Sequence, residues 1–194
     1  MVKLQVHQIK DYKRKEKMMT ISIDVLDNSG IYYDWRTLYV GVNENLIDCS
    51  ELNAYALKIM GDDTYEDDEF INELAWGIQR DLKNELLVKM RFKFGFDTLT
   101  TESINWKIEI EKLRYGILNY LRNKITDNNK LLSKVEEVYA DFNYPQDMEG
   151  FIPYMPIKDK CNLFINEIEY NNKRMINKLD EFLILEKNKI DFKL

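Results

Sequence analysis

From Asp34 onward, apolar side chains return every third or fourth residue, the spacing that gathers them on one face of an α-helix. The clearest stripe is Trp106, Ile110, Leu113, Ile117 and Leu121, four helical steps without a break. All three prolines, Pro145, Pro153 and Pro156, fall between Tyr139 and Pro156, so no proline interrupts a helix anywhere upstream. Stripes of this kind can bury themselves only against one another. The expectation is an all-α, single-domain bundle of about six helices, for which 194 residues with 45% hydrophobic content supply an ordinary core.

Individual helix ends can be read from capping chemistry. Asp34 is placed to cap a first helix whose face is Trp35, Leu38, Tyr39 and Val42, closing at residues 43–45. Asp48 or Ser50 caps a second with Leu52, Tyr55, Ala56 and Ile59, and Gly61 is expected in the left-handed conformation that ends it. Asp67 or Asp68 opens a third, with Glu69 in its first turn. Its apolar face, Phe70, Ile71, Leu74, Ala75 and Ile78, predicts one helix continuing through Leu82, Leu86, Leu87 and Met90 toward Gly95.

Thr100 or Thr101 begins the fourth helix and Asn128 or Asn129 the fifth, which carries Leu131, Leu132, Val135, Val138, Tyr139 and Phe142. Asp159 begins a long terminal helix with Cys161, Phe164, Ile168, Met175, Leu179, Phe182 and Leu183. Trp35, Trp76 and Trp106 all occupy apolar positions of these patterns and are expected in the core.

The first residues differ. Val2, Leu4 and Val6 alternate as a short strand would, but no second strand follows to pair with it. Residues 1–18 hold six Lys or Arg against two acids, which suggests a basic arm over 1–19 ahead of a helical domain over 20–194. The remainder then has 22 basic and 32 acidic residues, a net −10. An acidic body repels phosphate backbones, so a basic protein is expected as partner and nucleic acid is not. No apolar run approaches the roughly 20 residues of a membrane span, and no export signal opens the chain. With Cys49 and Cys161 in unrelated contexts, free thiols and a cytoplasmic location are expected.

Catalytic chemistry finds little material. His7 is the only histidine, and no phosphate-cradling glycine loop is present. The acidic stretch Asp62–Glu69 fits a calcium loop poorly, because Asp67 stands where the turn needs glycine. Glu102, Glu109, Glu136, Glu137 and Asp141 could hold a divalent metal only if they converged, and nothing in their spacing requires it. No metal site and no cofactor are therefore assigned. Two surfaces remain: the acidic residues Asp62, Asp63, Glu66 and Asp67, and the proline window with Asp141, Tyr144, Asp147 and Tyr154.

In the window, Pro145 stops the fifth helix just after Phe142 and can open a short turn, PQDME, that Gly150 ends. Pro153 and Pro156 stiffen FIPYMP ahead of the last helix. The chain can thus present a preorganised loop on a helical scaffold.

The run VEEVYADFNYPQDMEGFIPYMP, Val135 to Pro156, resembles the signature of a bacterial family known as domain of unknown function 2247. A second similarity covers DWRTLYVGVNENLIDCSELNAYALKIM, Asp34 to Met60, and DEFINELAWG, Asp68 to Gly77. The resemblance implies a small bacterial cytosolic protein and brings no catalytic residues with it. The resulting expectation is a non-enzymatic interaction module, such as an immunity or antitoxin-type inhibitor of a basic toxin. The alternatives are a divalent-metal enzyme built on helical carboxylates and a self-associating helical protein.

Overall fold

The computed structural model describes residues 19–61, 68–77, 82–155 and 167–193. Among them are eight α-helices: α1 Ile23–Asp27, α2 Trp35–Asn43, α3 Ser50–Ile59, α4 Glu69–Trp76, α5 Lys83–Phe94, α6 Ile104–Lys124, α7 Asn128–Asp141 and α8 Glu167–Lys193. A 3-10 helix, Gln146–Phe151, follows α7, and the described residues contain no strand. The all-α expectation holds. No described helix is long and apolar enough to cross a membrane.

Helix α6 is the axis of the packing. It lies against α1, α2, α7 and α8, so its buried residues go beyond the apolar stripe to include Glu109, Lys112 and Arg114. Its start is set by Ser103, whose hydroxyl accepts the Trp106 N–H, two or three residues later than the threonines suggested. Buried side chains form one cluster that runs from Ile21 through α2, α6 and α7 to Ile190 of α8.

Other ends follow the capping chemistry closely. Asp34 accepts the Arg36 and Thr37 N–H groups, and Thr37 returns a bond to the Asp34 N–H, a reciprocal cap on α2. Asp68 caps α4 through the Phe70 and Ile71 N–H groups, and Asp127 caps α7 through that of Lys130. Gly95 ends α5 in the left-handed conformation at φ 68°.

Four expectations need correction. The third helix is two helices: Gly77, at φ 109°, breaks the chain between α4 and α5. Gly61 does not adopt a left-handed backbone, and α3 stops at Ile59 with Met60 still right-handed. Trp76, the last residue of α4, is 91% exposed, outside the core that its apolar pattern suggests. Gly150 does not end the turn after Pro145, which continues to Phe151. Residues 1–18 with His7, the caps Asp67 and Asp159, and Ile78, Pro156, Cys161 and Phe164 lie outside the described residues. Cys49 is buried.

Candidate functional site

The proline window is built from the end of α7. Phe142 is the last residue with near-helical backbone; the Asn143 N–H then donates to the Ala140 carbonyl at 3.1 Å and the Tyr144 N–H to the Tyr139 carbonyl at 2.8 Å. This pair of closing bonds requires a left-handed residue after the cap, and Asn143 at φ 63° supplies it. Tyr144 then repeats the conformation at φ 59°. For a bulky aromatic residue that backbone costs about 1–3 kcal/mol and persists only where its surroundings impose it.

Those surroundings are well defined. Pro145 excludes the right-handed helical conformation at Tyr144. The Tyr144 ring stands edge-on to Tyr139, centroids 5.2 Å apart. Downstream, Met148, Phe151 and Ile152 are buried, and Phe151 meets Phe182 of α8 at 5.2 Å.

A buried cation fastens the other side. Arg114 of α6, 6% exposed, donates two bonds to Asp147 at 2.8 and 2.7 Å and one to Glu186 of α8 at 2.6 Å. Burial alone would lower the guanidinium pKa; its hydrogen bonds to Asp147 and Glu186 outweigh burial and raise it. The seam between α6 and α8 continues through Lys189 with Glu111 at 2.6 Å and Arg122 with Asp180 at 2.6 Å. The window is thus clamped to two helices distant from it in sequence.

On its outer side, Tyr144 and Tyr154 are each 58% exposed, and both pack against Tyr139, which is 2% exposed. The Tyr139 and Tyr154 centroids are 6.4 Å apart. Burial raises the Tyr154 pKa, with further contributions from the neighbouring Tyr139 and Tyr144 hydroxyls and the Glu136 carboxylate. Two exposed phenols, Tyr144 and Tyr154, therefore rest on the buried ring of Tyr139.

The four window residues singled out from sequence separate into two roles. Tyr144 and Tyr154 are both exposed and each packs on Tyr139, whereas the Asp147 carboxylate is bound by Arg114. Asp141 is half-buried and accepts the Met19 N–H at 2.8 Å, which ties the beginning of the described chain to the end of α7. Asp62, Asp63, Glu66 and Asp67 lie outside the described residues.

Sequence reasoning missed Arg114 as the organiser of the window. Its one visible signal is an arginine beside Leu113 on a helix too apolar to expose every charge. The helical carboxylates are dispersed. Glu109 is buried, accepting from Thr37 at 2.6 Å and Lys112 at 3.2 Å, while Glu137 pairs with Lys134 at 2.7 Å. Among the described residues no three His, Cys, Asp or Glu side chains are grouped as metal ligands would be.

A family profile described as an uncharacterised protein conserved in bacteria, domain of unknown function 2247, matches residues 23–187, from the first residue of α1 into α8. Neither curated proteins nor solved structures give a significant match. The matched span includes the whole proline window and both helices that clamp it, and the chain belongs to this bacterial family.

Proposed function

We propose that the protein is a non-enzymatic binding module that docks a basic protein partner on the Tyr144–Tyr154 face, in the manner of an immunity or antitoxin-type inhibitor working in the cytoplasm. One observation carries the reading. The backbone at Tyr144 is held in an unfavourable conformation, and the side chain it displays is a half-exposed aromatic ring rather than a core residue. Large rigid aromatic rings are efficient anchors at protein interfaces, because they contribute much area with little rotamer entropy to lose.

Charge supports the class of partner. Beyond residue 18 the chain carries a net −10, which attracts a basic protein and raises its association rate. The Arg114 clamp supplies the rigidity that lets a loop bind without first being ordered.

The test is capture from a native lysate with the wild-type protein and with a Tyr144→Ser/Tyr154→Ser variant whose melting temperature is matched. A stoichiometric basic protein held by the wild type and lost by the variant supports the proposal. A partner held equally by both moves the interface elsewhere, and an acidic partner or none overturns the reading.

A further inference from the structure

Helix α8 runs for 27 residues, and its two long faces differ. Met175, Leu179, Leu183 and Ile190 are buried on the side that meets α6, α7 and the 3-10 helix. With about 100° of rotation per residue, the opposite side holds Tyr170, Lys173, Asn177, Glu181 and Ile184, and all five are exposed. Its apolar members stand well clear of the bundle: Tyr170 is 54% exposed, Ile184 64%, and Leu185 beside it 69%.

The order along this outer face is symmetric. Steps of three, four, four and three residues are centred on Asn177, so each residue on one side has a counterpart equally far on the other. Tyr170 corresponds to Ile184, apolar to apolar, and Lys173 to Glu181, cation to anion. A twofold axis at Asn177 therefore makes the face its own complement in an antiparallel copy, the condition for a closed dimer interface. Parallel copies would set lysine against lysine and glutamate against glutamate.

We infer that the protein forms a twofold-symmetric dimer through this face of α8, the two helices antiparallel and in register at Asn177. Each Lys173 then meets Glu181 of the second copy, and each Tyr170 meets Ile184 of the second copy. The two Asn177 amides face one another across the axis, each offering a donor and an acceptor, and a lone amide in a helical seam fixes its register. Helices crossing at about 20° stay together over the about 21 Å that separates residues 170 and 184. An interface of that length is small, and the whole-chain charge of −6 opposes the association of two copies, so dissociation in the micromolar range is expected. No residue of the proline window takes part, and the inference does not depend on the docking role proposed there.

Sedimentation velocity of the full chain across the micromolar range tests the dimer. Wild type should pass reversibly from monomer to dimer. Lys173→Glu and Glu181→Lys each bring like charges together and should weaken the dimer about tenfold or more, while the double variant, with the charges exchanged, should return to within about threefold of wild type. All these positions are exposed, so circular dichroism melts of the variants should match wild type. A second measurement reads the register: in a Cys161→Ser chain, Asn177→Cys should oxidise to a covalent dimer and Ile184→Cys should not, because only the residue on the axis meets its own counterpart.

A monomer at every concentration overturns the inference and leaves the face to another segment of this chain or to a foreign protein. A dimer indifferent to both charge reversals overturns it too, as does a double variant no better than the single ones, or crosslinking as ready at 184 as at 177. The Tyr144→Ser/Tyr154→Ser variant should dimerise as wild type does; loss of the dimer there would move the interface to the window.

Discussion

Arg114 and Asp147, 33 residues apart in sequence, meet through two parallel hydrogen bonds of 2.8 and 2.7 Å, and this pairing fixes the proline window to α6. Because Arg114 also bonds Glu186, removing the arginine leaves that buried carboxylate only a longer contact with Lys189 at 3.6 Å, whereas removing Asp147 leaves Arg114 its short bond to Glu186. Arg114→Leu should therefore destabilise by about 3–5 kcal/mol and Asp147→Ala by only about 1 kcal/mol, since the aspartate is itself half-exposed. Urea denaturation of both variants checks the ordering; equal losses would contradict it.

At position 144 the usual ranking of small residues should reverse. Tyr144→Ala loses the ring contact with Tyr139 and keeps the left-handed backbone, while Tyr144→Gly loses the same contact and relieves the backbone. Glycine should exceed alanine by about 1 kcal/mol in the same denaturation assay. Alanine equal to or better than glycine would show that the conformation is not strained.

Helix α2 contains a glycine in its last turn where helix propensity alone favours Ala, yet a Cβ on Gly41 would overlap the Ile47 side chain folded back over it. Gly41→Ala should cost about 1–3 kcal/mol, and the double variant with Ile47→Ala should lose less than the sum of the two single losses. Additive losses in the double variant would mean that the two positions do not oppose each other.

Acid should weaken the α4–α5 pairing through Asp68. Burial raises its pKa, but bonds from Lys93 and the capped Phe70 and Ile71 N–H groups outweigh burial, and the net pKa is lowered. A lowered folded-state pKa means that this contribution is complete above the ordinary carboxylate range near 3.8 and lost as pH falls through the folded value. The melting temperatures of wild type and Asp68→Asn should therefore differ most above the ordinary carboxylate range and draw together as the pH falls below it. A gap that does not change with pH would contradict the sign.

Much of this architecture is legible in residue order, for identifiable reasons. The α6 stripe is long enough to fix its period, and Asp34, Asp68 and Gly95 mark helix ends by local hydrogen bonding alone. The break at Gly77 is hidden because Leu82, Leu86 and Leu87 continue an apolar pattern that reads as one helix. Helix α1 is five residues long, too short for its period to show, and Trp76 looks like core because periodicity cannot reveal that α4 ends upon it. In the window, Asn-Tyr-Pro signals the helix stop, but the partner of Asp147 is set by tertiary packing. Glu109, Lys112 and Arg114 read as solvated charges until α6 is seen to be covered on several sides.

The central claim is that the Tyr144–Tyr154 face is where a basic partner docks. Hydrogen exchange of the protein alone and in complex with its captured partner tests this most directly, read over residues 139–155 and over α8 as an internal control. Slowed exchange over 139–155, with the control unchanged, is the predicted result. Full protection elsewhere, with 139–155 exchanging as in the free protein, would contradict the account.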